Sequence, residues 1–213
     1  MKNIVDYINE AIKKLVNKTG IIVFDIDDTL LKVKLGDMFI YKRVPGSNKE
    51  IKLTTDEFAK DPDTLDKNKM SWFDYRDFRD EQKVYNSIVN GTPMIKNLKI
   101  MDAYLRAGYD FCFLTARGCE DVIKRAIGDF VKKRTEHGGL EQLGDEYKQT
   151  LSHAINDYTK NYKGSTDAEK KANVLKELSR KYDVVVFVDD DKKNVESARN
   201  LRLPNLRVIK AWE

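Results

Sequence analysis

Two aspartate pairs mark where this sequence could do chemistry: Asp25 and Asp27 follow the apolar run Ile21-Ile22-Val23-Phe24, and Asp189 and Asp190 follow Val184 to Val188. Between them, Thr115 closes a third apolar run, Phe111 to Leu114, and the neighbours Lys170 and Lys171 precede the last run. Such runs read as strands buried on both faces, and in an open parallel sheet ligands bind at the carboxyl ends of the strands. Carboxylates gathered at one such edge repel each other unless a cation sits among them, and an all-oxygen set selects a hard ion, Mg²⁺. The plainer alternative is that aspartates end strands and cap helices, as they commonly do. One such strand end would mean little. Three in one sheet, with a threonine and a lysine nearby, favour a site.

Positioning these groups requires a parallel sheet, and the chain alternates strands with helices in the way that builds one. The expected fold class is α/β, a three-layer α/β/α Rossmann-like sheet. Helices are expected over residues 4 to 16, where Ile4, Val5, Ile8, Ile12, Leu15 and Val16 share a stripe, and over Lys96 to Arg106, closed by Gly108. Another runs from a Ser165-Thr166-Asp167 cap, with Glu169 near the capping-box position, to about Arg180, and a further one covers 193 to 200. Glu120 to Lys148 reads as helical and mostly solvated, broken near Gly138-Gly139. Short strands are expected at Leu151 to Ile155 and Leu206 to Ile209. Phe39 to Thr54 has the pattern of a hairpin, and residues 56 to 90 are polar with an aromatic cluster at Trp72, Phe73, Tyr75 and Phe78. The expected organisation is a core of residues 1–31 and 93–213, with 32–92 inserted as a β-flap and small accessory lobe.

The strand-end residues also resemble a known family, the haloacid-dehalogenase-like (HAD) phosphohydrolases. Phe24-Asp25-Ile26-Asp27-Asp28-Thr29-Leu30 looks like their D-x-D-x-T motif, Leu114-Thr115-Ala116-Arg117 like the second motif, Lys171 stands at the place of the third, and Val188-Asp189-Asp190 with Asn194 is similar to the fourth. The resemblance implies that Asp25 is the nucleophile, forming an aspartyl-phosphate, and that Asp27 is the general acid and base. It implies that Thr115 and Lys171 hold the phosphoryl oxygens, with Thr29 and Arg117 on the substrate. Mg²⁺ would be held by Asp25, the carbonyl of Asp27 and Asp190, with Asp189 the other candidate ligand and Asn194 steadying the loop. Relatives that cleave carbon–halogen bonds lack the second carboxylate, so Asp27 points to phosphate esters. Lys170 and Lys171 lie about 100° apart on a helix, so only one faces the site. Arg117 has two readings, a substrate contact or a structural ion pair.

A flap in place of a full helical cap leaves a site open enough for a phosphate at the end of a large molecule. The motif style is closest to phage-type nucleotide and polynucleotide-end phosphatases, so the expected partner is a phosphorylated small molecule or a nucleic-acid end. Tyr41, Trp72, Phe73, Tyr75 and Phe78, interleaved with Lys42, Arg43, Arg76 and Arg79, could stack on and neutralise a nucleotide, or simply form the core of the lobe.

Composition sets the outer limits. The 213 residues are 41% hydrophobic and 35% charged, too apolar for a disordered chain, and the longest apolar runs are strand-sized, too short to span a bilayer. A net charge of +4 is weak support for nucleic-acid binding and fits a lysine-rich soluble surface. Two cysteines, Cys112 and Cys119, make no disulfide framework or metal motif; Cys112 reads as a core filler. His137 and His153 read as surface or core groups, not ligands. No secretory signal is visible, so the expected location is cytoplasmic, in a host cytoplasm if the chain is phage-encoded. Two other readings of the same scaffold are a phospho-acceptor domain and a non-catalytic binding or virion-associated protein. Receiver-type phospho-acceptors place their acidic pair and acceptor in a different strand order.

Overall fold

The computed structural model describes residues 19–34, 37–135, 151–157 and 159–212. The expected helix over 4 to 16, the break near Gly138-Gly139 and His137 lie outside the described residues.

Five strands form one parallel sheet: β1 (Gly20–Phe24), β7 (Asp110–Thr115), β8 (Leu151–Ala154), β9 (Val184–Asp189) and β10 (Leu206–Lys210), in the order β10-β9-β1-β7-β8. Successive side chains of a strand point to opposite faces, so a strand covered on both sides must be apolar at every position. β1 shows the consequence. Ile22 and Phe24 enter one core cluster with Phe111, Phe113, Val186 and Val188, while Ile21 and Val23 enter a second with Cys112, Leu114, Val185 and Phe187. Gly20 opens the strand where Tyr109 crosses it; a β-carbon there would lie 2.4 Å from the ring.

Helices cover both faces. α5 (Asp167–Lys181) and α6 (Lys192–Asn200) close the second cluster with Val174, Leu175, Leu178 and Ala198. α5 opens on the expected capping box, Thr166 with Glu169. α3 (Ile95–Arg106) and α4 (Glu120–Thr135) close the first through Leu98, Met101 and Leu105 and through Val122, Ile123, Ala126, Ile127 and Phe130. The described part of α4 is therefore not the mostly solvated helix expected. Its apolar residues fall on one stripe that the intervening charges conceal, and that stripe is core.

The segment between β1 and α3 returns on itself. β2 (Leu31–Lys32) pairs antiparallel with β6 (Thr92–Pro93), stitching its two ends together. Beyond that stitch the expected hairpin is present as β3 (Ile40–Arg43) and β4 (Glu50–Leu53), extended by β5 (Phe73–Asp74) and the short helix α1 (Thr55–Lys60). Phe58, Phe73, Tyr75 and Phe78 meet edge to face, with ring centroids 5.1 to 6.5 Å apart, so these aromatics pack the lobe itself. Buried Asp77 ties it together, accepting from the Phe39 amide, the Tyr41 hydroxyl and the Lys83 ammonium. α2 (Glu81–Val89) ends the segment but packs as a core helix, placing Val84 and Ile88 in the first cluster. No helix among the described residues is long and apolar enough to cross a membrane.

Candidate active site

From β1 the chain passes to β7 and β8 on one side of the sheet and then to β9 and β10 on the other. This is a topological switch point, the place at the carboxyl ends of the strands where open α/β sheets bind ligands. Asp25, Thr115 and Asp189, the residues at or just past the ends of β1, β7 and β9, arrive at it from three elements.

β1 ends by donating the Asp25 amide to the Val188 carbonyl at 3.0 Å. The chain then turns tightly, the Ile26 carbonyl accepting from Leu30 and Leu31 at 2.9 and 3.1 Å. Asp28 takes a φ of 52° in that turn, a left-handed conformation that aspartate tolerates better than most residues. The turn drops Thr29 beside the end of β9, where its fully buried hydroxyl donates to Asp190 Oδ1 at 2.8 Å and accepts from the Asp190 amide at 3.0 Å. The Thr29 hydroxyl, expected on the substrate, is enclosed in this structure and gives its proton to Asp190.

Of the neighbouring lysines, Lys171 is the one that faces the aspartates. It lies on α5, almost fully buried, with Nζ 2.8 Å from Asp25 Oδ1 and 2.8 Å from Asp189 Oδ2. Lys170 points elsewhere and donates to Asn156 Oδ1 at 2.6 Å. Burial alone would lower the Lys171 pKa, but Asp25 and Asp189 outweigh it and hold the ammonium charged well above its ordinary range. Asp25 is pushed up by burial and by the charges of Asp189 and Asp27, against the pull of Lys171.

Asp189 has no exposure, and its oxygens are fully engaged: Asn194 Nδ2 lies 3.1 Å from each, the Asp191 amide donates to Oδ1 at 2.9 Å, and Lys171 takes Oδ2. Asn194 therefore sits where a loop-steadying residue belongs. Asp190 is only partly buried, and its carboxyl is pushed up to about 6, mainly by burial and the nearby charge of Asp189. Asp25, Asp189 and Asp190 each offer an oxygen within 4.8 Å of the others. An oxygen-only cluster with one ammonium against it and a raised carboxyl fits a hard divalent cation.

Thr115 is fully buried, its hydroxyl accepting from the Arg117 amide at 3.3 Å. The loop after it is pinned along its length. Ile155 donates to the Thr115 carbonyl, Asn156 Nδ2 to Ala116 at 2.7 Å, and the Gly118 amide reaches across to the Phe78 carbonyl of the lobe at 3.1 Å. Arg117, with no exposed surface, grips Asp27 through two hydrogen bonds and reaches Ser87 Oγ at 2.7 Å and the Val84 carbonyl at 3.3 Å with its third nitrogen. Of its two sequence readings, the structure shows the ion pair. Ser87, Asn97 and Asn156 were not among the candidates, since a lone serine or asparagine leaves no trace in spacing or composition.

The two cysteines and His153 are not part of the acidic cluster. Cys112 is enclosed and its thiol pushed far up by burial, as a core filler should be, and burial also raises Cys119. His153 is held by the Tyr162 hydroxyl at 3.0 Å.

No protein-family model matches the chain, and no curated protein matches it. Among solved structures, a chain from a Pnkp1/Rnl/Hen1 complex aligns with a TM-score of 0.46 at 17% identity, over 92% of this chain and 46% of that one; this chain spans about half its length. A predicted HAD-like family hydrolase from Porphyromonas gingivalis aligns at a TM-score of 0.40 and 14% identity over 91% of both chains. A haloacid dehalogenase-like family hydrolase from Streptococcus pneumoniae gives 0.41 and 14%, over 90% of this chain and 85% of that one. Likenesses this distant transfer no residue roles, and the chemistry rests on the site's own geometry.

Proposed function

We propose that this chain is a Mg²⁺-dependent phosphohydrolase that cleaves phosphate monoesters through an aspartyl-phosphate, acting on a nucleotide or the terminal phosphate of a polynucleotide. The observation that carries the reading is Lys171, a buried ammonium bonded at once to Asp25 and Asp189 beside a third carboxylate. A purely structural ion pair needs one carboxylate. Three, with one of them left partly exposed, leave negative charge for a cation and a phosphoryl group to complete.

In the first step an oxygen of Asp25 attacks phosphorus, the bond from phosphorus to the ester oxygen breaks, and the departing oxygen takes a proton from Asp27. In the second step Asp27 takes a proton from water, the water oxygen attacks phosphorus, and the bond to Asp25 breaks to release inorganic phosphate. Lys171 and Thr115 hold the phosphoryl oxygens, and Arg117 fixes the plane of the Asp27 carboxylate while leaving each oxygen a lone pair. Asp25, Asp190 and the main-chain carbonyl of Asp27 would hold Mg²⁺, whose charge lets an anionic nucleophile meet an anionic ester. Asp189, with its oxygens engaged, positions Lys171 and the loop.

The proposed division is a core of 1–31 and 93–213 with 32–92 as a flap and lobe, α2 being the seat of the lobe on the core. Support for a large substrate is the lobe's form, a small sheet joined to the catalytic loop at Phe78 and not a helical cap. The expected setting is the cytoplasm, that of a host if the chain is phage-encoded.

The test is release of inorganic phosphate by purified protein with Mg²⁺ from nucleotides, sugar phosphates and 3′- or 5′-phosphorylated oligonucleotides. Turnover that EDTA abolishes supports the reading. A phosphorylated protein that persists for minutes with no turnover of any ester would instead make it a phospho-acceptor.

A further inference from the structure

We infer that Asn97, a fully buried amide on α3, is a positioning residue that sets the metal-side loop by clipping the segment just after β10 to the turn after β1. The inference rests on the phosphohydrolase reading for what the loop holds. Asn97 Nδ2 donates to the Thr29 carbonyl at 2.8 Å and to the Trp212 carbonyl at 3.1 Å, and Oδ1 accepts from the Trp212 amide at 3.0 Å. Both its donor hydrogens and its acceptor are used, so one side chain holds three main-chain groups.

Each of those groups leads to the carboxylates. Thr29 holds Asp190 through its hydroxyl in both directions, so the place of its carbonyl governs the place of that carboxylate. On the other arm, the residue before Trp212 donates its amide to the Asp189 carbonyl: Ala211 to Asp189, 3.0 Å. The two aspartates that end β9 are thus held from both sides by segments that Asn97 joins. The three hydrogen bonds of Asn97 all go to main-chain groups and none to the cluster itself, so it is a positioning and not a catalytic residue. Groups that orient a metal ligand from behind typically contribute 10- to 100-fold to metal affinity, and a buried amide with every polar atom engaged has one geometry in which to do so.

A comparison amide separates this role from ordinary stabilisation. Asn205, at the opposite end of the sheet, donates to the Ser179 and Tyr182 carbonyls at 2.7 and 2.8 Å. It too is a clip between main-chain segments, but one that leads to no carboxylate of the site.

The experiment is titration calorimetry of the full chain with Mg²⁺ alone, without substrate, alongside urea unfolding. Asn97→Ala should weaken Mg²⁺ binding roughly tenfold or more, whereas Asn205→Ala should lose stability and keep wild-type Mg²⁺ affinity. If Asn97→Ala does not fold, Asn97→Asp carries the test: it keeps the shape and the bond from the Trp212 amide, but turns a carboxylate on the Thr29 and Trp212 carbonyls, and should show the same loss. Wild-type affinity in a folded Asn97 variant overturns the inference and leaves the phosphohydrolase reading standing. A wild-type protein that binds no Mg²⁺ overturns both.

Discussion

Arg117 Nε lies 2.8 Å from one oxygen of Asp27, and Nη2 lies 2.6 Å from the other. The fork of a guanidinium matches the two oxygens of a carboxylate, which a lysine at the same place would not. Because Arg117 is also joined to Ser87 and Val84 of α2, the base of the lobe and the D-x-D turn share one buried cation.

Arg117→Lys and Arg117→Ala should therefore fail in two ways. Breaking a buried pair by removing one partner costs on the order of 3 kcal/mol, so the urea midpoint of the alanine variant should fall clearly. The lysine variant should keep more stability yet lose turnover, since one point charge cannot fix the plane of Asp27. Equal turnover in wild type and Arg117→Lys would remove the positioning role.

Asp25→Asn keeps the shape of the proposed nucleophile and removes its charge. Mg²⁺-dependent phosphate release should disappear while the circular dichroism spectrum stays native. Asp27→Asn should slow turnover by about 10²- to 10⁴-fold, the usual contribution of general acid–base help. Substantial residual release by Asp25→Asn would exclude it as the nucleophile.

Acidity should act on the metal-free protein in a defined direction. The raised carboxyls of Asp190 and Asp25 bind protons in the folded state that the unfolded chain has already released. Their contribution to stability is fully present below the ordinary carboxylate pKa of about 4 and is lost as pH rises through the folded value, about 6 for Asp190. Asp190→Asn removes one of them, so its stability relative to wild type should rise between pH 4 and pH 7 in EDTA. A difference that stays flat across that range would contradict the assignment.

The lobe's cations are unequal. Arg76 is held by Glu50 and Asp74, and Lys42 is held by Asp61 and Asp63. The Arg79 guanidinium makes no hydrogen bond or ion pair among the described residues; its main-chain carbonyl accepts from Cys119 Sγ at 3.2 Å, and its side chain runs beside Gly118 of the loop after β7. Arg79→Ala should raise KM for a phosphorylated oligonucleotide and reduce the slope of log KM against log salt by about one. An unchanged salt slope would take Arg79 out of the substrate path.

How much of this was legible in the sequence varied with the physics of each element. β1, β7 and β9 announce themselves because burial on both faces forbids polar residues. α4 hid its stripe among lysines and arginines, so charge was mistaken for exposure. The acidic and basic groups could be named from their places at strand ends. The motif pattern favours Lys171 over Lys170, and Lys171 is the lysine that faces Asp25 and Asp189. Arg117 was seen, but its two readings differ only in whether Asp27 stands opposite, a matter of tertiary packing. Thr29 enters only through the resemblance, as a substrate contact, and its burial follows from the turn at Asp28, which spacing does not reveal.

The placement of β1 at the centre of the sheet has a consequence for how the molecule comes into being. Thr29 meets Asp190 across 161 residues of sequence, and β1 cannot complete its second ladder until β9 has been made and has folded back. During synthesis, then, β1 can pair with β7 while its other edge stays open, a run of apolar residues offering unpaired amides and carbonyls to any neighbouring chain. Such long-range parallel closure is intrinsically slow. The same late event that covers this open edge brings Asp189 to Asp25, so the sheet closes and the acidic cluster assembles in a single step.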